Sequence, residues 1–238
     1  MMIALLQLIC VFCVQLGAGT ALPTLILFDY FLRHPSPAWR AISFLLADYN
    51  TSVLETTTVP NLLLTWHFAH STESLPRVGD LEITEDLLDH FLDALSDKAI
   101  FIEGISGAWG DKFCSLMQFE AAFNGSNHRP DVDIEILCLA SETIYSPSSI
   151  RAFTEVLIRT LRGVENLGGK AKALIAAKCV YFGVGGGVDE FLKVLGGLCG
   201  RATPVWESTD PGVGRVILEM MTDDTLLDKD GLPPFPRR

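Results

Sequence analysis

Three stretches of this 238-residue sequence combine residue types that chemistry can use. At Gly17-Ala18-Gly19 an apolar run ends in glycines. Glycine lets a backbone turn sharply and approach a ligand with no Cβ in the way, and a helix starting just after it offers unpaired N–H groups. Taken alone, G-x-G fits an ordinary tight strand-to-helix turn equally well. At Asp48-Tyr49-Asn50 a second apolar run ends in an acid. A carboxylate there can accept two hydroxyl hydrogen bonds at once, as from a ribose diol; the alternative is an acid that caps the next helix. The interval from Gly17 to Asp48 exceeds the ~20 residues usual between such features, and the RHPSPAW loop supplies the excess. Thirdly, Gly183, Gly185, Gly186 and Gly187 in YFGVGGGVDEF imitate a dinucleotide loop, but they come late, after an earlier strand has taken the ligand-facing position.

Other reactive side chains carry less. His34, His67, His70, His90 and His128 show no consistent metal spacing; His67 and His70 stand at i, i+3 and, without a third ligand, read as surface residues. Cys10, Cys13, Cys114, Cys138, Cys179 and Cys199 lie scattered among apolar residues, with neither zinc spacing nor the density of a disulfide scaffold. They read as reduced, mostly buried thiols.

The elements that must position these stretches alternate. Ile9 to Leu16 is strand-like, LGAGTALP turns, and Pro23 to Leu32 is helix-like, with proline in the first turn. Ala41 to Asn50 is a short buried strand. A helical stretch follows from Thr51 and must bend or stop before Pro60. In ITEDLLDHFLDAL, Thr84 is a candidate N-cap, and Leu87, Leu88, Phe91, Leu92 and Leu95 share one helical face. AIFIEG, DIEILCLASETIY and KALIAAKCVYF are further strand-length runs, with the helix SSIRAFTEVLIRTL between the last two. VDEFLKVL is helical, and VWEST with GRVILEMMT forms a closing strand pair around DPGVG. This order predicts an α/β fold: one open, mostly parallel sheet with helices on both faces, whose ligands bind at the carboxyl ends of the strands. The tail DDTLLDKDGLPPFPRR is charged and proline-rich and is expected to be mobile.

Composition narrows the partners. Apolar residues make up 49% of the chain, enough for a large core, and 18 Lys plus Arg against 29 Asp plus Glu give a formal charge of -11. Nonspecific adhesion to nucleic acid is therefore not expected. The start MMIALLQLICVFCVQLGAGTALP resembles a secretory signal, and the sequons at Asn50 and Asn124 would agree. No Lys or Arg precedes Arg33, however, and Gln7 and Gln15 interrupt the run. A strand buried on both faces, which reads as a continuous apolar run, is the preferred account. The expectation is a cytosolic or nuclear monomer with no membrane association.

VQLGAGTALPTL resembles the first motif of the seven-strand S-adenosylmethionine-dependent methyltransferases. LADYNTSVLETTTVPNLLLTW, SETIYSPSSIRAF and YFGVGGGVDEF resemble, in the same order, segments of their protein-histidine N-methyltransferase branch. The resemblance runs from about Val14 to Phe191. It implies a Rossmann-like seven-strand sheet, mostly parallel with a final antiparallel strand, in a methyltransferase domain at 1–222 followed by the tail at 223–238. It implies S-adenosyl-L-methionine as cofactor, bordered by Leu16, Gly17 and Gly19 at its methionine part, by Asp48 and Asn50 at its ribose, and by Trp109 of ISGAWG at its adenine; a core or lid aromatic is the alternative for Trp109. Ser141 and Thr143 would then contact the substrate, and Glu142 would orient it as the catalytic carboxylate; a solvated acid at the end of a strand is the alternative for Glu142. The glycine loop of YFGVGGGVDEF becomes a rim near the acceptor.

Members of that branch carry a long segment before the first motif, whereas here the glycine turn arrives at Gly17, so the resemblance implies an N-terminally shortened member. The activity it implies is methylation of a histidine on a ribosomal or translation-associated protein. Lysine methylation, and a noncatalytic binding protein of the same fold, stand as alternatives.

Overall fold

The apolar run near the start of the chain is the middle of a sheet. The structure, a computed structural model, describes residues 8–71, 79–117, 132–208 and 212–222. β1 (Leu8–Leu16) pairs in parallel with β2 (Trp39–Asp48) on one side and with β4 (Val132–Ser141) on the other. β3 (Ile100–Ser106) lies beyond β2, and β5 (Lys170–Lys178) beyond β4, both parallel. β7 (Arg215–Thr222) runs antiparallel to β5 and to β6 (Gly200–Glu207), giving the order β3-β2-β1-β4-β5-β7-β6. This is the seven-strand, mostly parallel sheet expected from the sequence, with β6 starting earlier than VWEST.

Successive strand residues face opposite sides of a sheet, so an uninterrupted apolar strand needs cover on both. Cys13 joins Phe28, Phe31, Phe44, Leu62 and Trp66 in the core on one face, under the helices Leu22–Arg33, Val59–His70 and Glu85–Asp97. Val14 and Leu16 join Cys138, Phe153, Leu157 and Phe191 on the other, under Pro147–Glu165 and Val188–Gly197.

Two expectations change in detail. The helix after β2 passes through Pro60 instead of stopping: Thr51–Val53 leads into a π-helical turn, Leu54–Thr58, and then into Val59–His70. Proline lacks the N–H for an i→i−4 bond, and the wider turn just ahead of it, where the Val59 N–H reaches the Leu54 carbonyl, absorbs the mismatch. Thr84 does cap its helix, accepting from the Leu87 N–H at 3.1 Å. Only part of the apolar stripe behind it is covered, however. Leu87, Phe91 and Leu95 pack inward while Leu88 and Leu92 stay exposed, because this helix rests on the edge strand β3. The cysteines form no disulfide: Cys10, Cys13 and Cys138 are buried, Cys114 and Cys199 partly so, and Cys179 is exposed.

Among the described residues no helix is long and apolar enough to cross a membrane. The tail at 223–238, Asn124, His128, and Asp210 and Pro211 of the DPGVG turn lie outside the described residues.

Candidate active site

Backbone hydrogen bonds join the strand exits to one another. Past the end of β1 the Ala18 N–H donates to the Ala47 carbonyl at 2.8 Å, and past β3 the Gly107 N–H donates to the Asp48 carbonyl at 3.0 Å. The turn itself needs its glycines: Gly17 has φ +71 and Gly19 φ +53, left-handed values that cost other residues steric strain. A side chain at Gly17 would also meet Thr143, whose Cγ2 would lie 2.8 Å from the new Cβ.

Asp48 belongs to this turn. Its Oδ2 accepts the Gly19 N–H at 3.0 Å and its Oδ1 the Asn50 N–H at 3.1 Å. Asp48 therefore bonds ahead of the next helix, which starts at Thr51, so the helix-cap alternative does not apply. Each oxygen keeps a lone pair for a further donor. The π-helical turn buttresses the same loop from below. Buried Thr58 donates its hydroxyl to the Gly19 carbonyl at 2.7 Å, and Asn61 Nδ2 donates to the Thr20 carbonyl at 3.0 Å.

Trp109 follows β3. Its ring meets Phe113 edge-on at 4.9 Å and Phe153 at 6.0 Å, while the Arg159–Asp111 ion pair at 2.6 Å ties the following short helix to Pro147–Glu165. Trp109 packs against the core and also lines the cavity described next.

That cavity, of about 560 Å³, lies across the exits of β1 to β4 and is lined by Gly17, Asp48, Asn50, Trp109, Ser141, Glu142 and Thr143. Of the residues singled out in the sequence, Leu16 and Gly19 do not line it: Leu16 is wholly buried, and Gly19 is joined to the lining by its bond to Asp48. Tyr49 and Ala108 line it beside Asp48 and Trp109, and Tyr145, Ser148, Ser149 and Ala152 form a further wall at the start of a helix. All four lie within SETIYSPSSIRAF, one of the segments that carry the resemblance, but none is named there as a site residue. Asp48 and Glu142 are the charged residues of the lining and both are acids, which favours a cationic occupant. The Thr143 hydroxyl is buried with no hydrogen-bond partner, an open polar position in the wall. A larger recess, of about 690 Å³, sits at the other end of the strands beside Phe31, Trp39 and His70. No strand exit reaches it, so size does not identify the site here.

The glycine loop is a packing device, not a phosphate cradle. Gly187 bridges back to Val180, and a Cβ at Gly186 would collide with the Tyr145 carbonyl, so the loop lies directly behind a cavity residue. His70 bonds through Nδ1 to the Trp66 carbonyl at 3.0 Å, closing its own helix.

The seven-strand sheet, with its cavity at the carboxyl ends of β1 to β4, defines the architecture of the Rossmann-like methyltransferases. Within that class the chain is a homologue of the histidine protein methyltransferases. It is 35% identical over 196 residues to Histidine protein methyltransferase 1 of Saccharomyces cerevisiae, covering 76% of this chain and 48% of that protein. It is 35% identical over 178 residues to the Schizosaccharomyces pombe protein of the same name, covering 74% and 46%. The Rattus norvegicus homolog is 30% identical over 175 residues, covering 73% and 41%. The chain thus spans about half the length of the curated relatives it matches. No family model matches it. Among solved structures, an rRNA methylase from Streptococcus thermophilus overlaps 91% of this chain and 90% of its own at TM-score 0.39 and 10% identity.

Proposed function

We propose that this chain is the methyltransferase domain, at 1–222, of an S-adenosylmethionine-dependent protein-histidine N-methyltransferase. One observation carries the reading: residues from four separate strand exits, Gly17, Asp48, Trp109 and Ser141 to Thr143, line a single cavity whose charges are both negative. Its volume falls in the ~300–1,000 Å³ range of small-molecule sites. The Gly17 backbone, free of a Cβ, and the unpartnered Thr143 hydroxyl suit a close-fitting polar ligand.

When bound, S-adenosylmethionine supplies a methyl group on a positively charged sulfur. The chain's residues then have distinct tasks. Asp48, held by two backbone amides, accepts from the ribose hydroxyls with its remaining lone pairs. Trp109 offers a flat wall for the adenine. Gly17 lets the backbone reach the methionine end, and the two carboxylates of the lining favour the sulfonium charge.

An imidazole near its unperturbed pKa of ~6.5 is mostly neutral at neutral pH, so no strong base is needed. Positioning dominates, because the attacking nitrogen must be held in line and water kept out. Glu142 accepts the N–H of the other ring nitrogen, which selects the tautomer and stabilises the positive charge that develops on the ring.

The substrate is a ribosomal or translation-associated protein, and the enzyme works as a monomer in the cytosol or nucleus; the motif resemblance supports the substrate, and the acidic balance and the lack of disulfides support the compartment. Incubation of the chain with tritiated S-adenosylmethionine and cell extract, followed by amino-acid analysis, tests the reading. Label in methylhistidine is expected. Label in lysine, or cofactor binding without transfer, overturns it.

A further inference from the structure

We infer that Lys178 and Tyr181, neither of which lines the cavity, are positioning residues that hold the Glu142 carboxylate toward the acceptor ring. The inference rests on the proposed methyl transfer and adds to it the means by which its carboxylate is aimed.

The starting point is the backbone of Glu142. It has φ 56, one of four non-glycine residues in the left-handed region among the described residues. Its N–H is committed to the Ala176 carbonyl of β5 at 2.9 Å, which fixes the conformation. Glycine would adopt this geometry without strain, so a glutamate there keeps a strained backbone for the sake of its side chain. Residues in such conformations cluster at functional sites.

A glutamate side chain that is exposed at a cavity rim would ordinarily sample many rotamers. Here two groups at the exit of β5 restrict it. Lys178 Nζ lies 3.7 Å from Glu142 Oε2. The Tyr181 hydroxyl accepts the Lys178 backbone N–H at 3.2 Å and lies close enough to Glu142 to feel its charge. An acceptor bond taken from Lys178 leaves the phenolic proton free to turn toward the Glu142 charge. Burial, reinforced by the nearby Glu142 charge, pushes the Tyr181 hydroxyl up to about 12, so it stays protonated and a donor at any physiological pH.

The three side chains form a closed set. Lys178 Nζ also sits over the Tyr181 ring, 5.6 Å from its centroid. The base of the set is rigid: the Cys179 N–H donates to the Gly214 carbonyl at 2.8 Å, and the Tyr181 ring packs at 6.3 Å from Tyr145, a cavity-wall residue. One carboxylate oxygen is thus held from the β5 side, and the cavity side is left for an incoming N–H.

The test uses the full chain with tritiated S-adenosylmethionine and unfractionated cell extract. Lys178→Met should lower the maximal rate about tenfold while leaving the KM for S-adenosylmethionine and the thermal midpoint unchanged. Tyr181→Phe should lower the rate similarly with the same KM and a lower midpoint, because the Lys178 N–H loses its acceptor, and Lys178→Arg should recover most of the rate. A Lys178→Met rate equal to wild type, or a loss equally large in Lys178→Arg, overturns the inference. If the wild-type chain labels no histidine, the proposed function fails separately, and a second readout decides here: in Glu142→Gln the tyrosinate absorbance of Tyr181 should titrate at lower pH. An unchanged titration overturns the coupling of the set.

Discussion

The Gly19 amide donates to Asp48 Oδ2 at 3.0 Å, so the turn after β1 and the acid at the end of β2 are one hydrogen-bonded unit at the cavity mouth. A charged acceptor strengthens such a bond and fixes the carboxylate before any ligand arrives. Pre-organisation of this kind lowers the ordering cost of binding. The same unit is held from beneath by Thr58.

Gly17→Ala should destabilise the fold and weaken S-adenosylmethionine binding for two separable reasons. Alanine at φ +71 costs about 1–2 kcal/mol in backbone strain alone, and its Cβ would press on Thr143 Cγ2. Thr143→Ser removes that methyl group, so adding it to Gly17→Ala should restore the packing part and leave the strain part. Urea unfolding of the double-mutant cycle measures both; strict additivity would show that the two residues do not touch.

Thr58→Val replaces a buried hydroxyl with a methyl group and takes away the side-chain donor of the Gly19 carbonyl. The expected loss is about 1–3 kcal/mol of stability, with weaker S-adenosylmethionine binding because the turn loosens. Unchanged calorimetric affinity would detach the π-helical turn from the site.

Much of this arrangement was legible in the sequence, and the limits have physical causes. Strand exits could be read because parallel strands buried on both faces leave unbroken apolar runs that end in glycine or polar residues, as at Gly17, Asp48 and Ser141. The covered half of the Leu87 to Leu95 stripe could not be told from the exposed half, because helical periodicity does not reveal that the helix lies on an edge strand. Pro60 signalled a disturbance but not its resolution as a π turn, which a bond from Thr58 to a distant loop favours. The left-handed backbone of Glu142 and its partners Lys178 and Tyr181 arise from β4 and β5 lying side by side, which no local pattern records.

Alkaline pH should destabilise the fold with a defined window. Burial raises the Cys13 thiol from its ordinary 9.0 to about 12, and burial with the Glu142 charge raises the Tyr181 hydroxyl from 10.0 to about 12. Between these values the unfolded chain has released protons that the folded chain retains, so stability is full below pH 9 and falls as pH rises toward 12. In Tyr181→Phe the decline above pH 10 should be shallower. Urea midpoints across this range measure it, and coincident wild-type and variant curves would contradict the assignment.

Thiol chemistry should follow burial. Cys179 is exposed and should react with a maleimide in the native protein, whereas Cys10, Cys13 and Cys138 should react only on unfolding. Mass mapping after brief labelling checks this, and early modification of Cys13 would contradict the central place of β1.

Calorimetric titration of S-adenosylmethionine into the wild-type chain and into Asp48→Ala tests the central claim most directly. Saturable binding that weakens at least tenfold in the variant is predicted. Equal affinity in the two proteins, or no binding to the wild-type chain, would contradict the account.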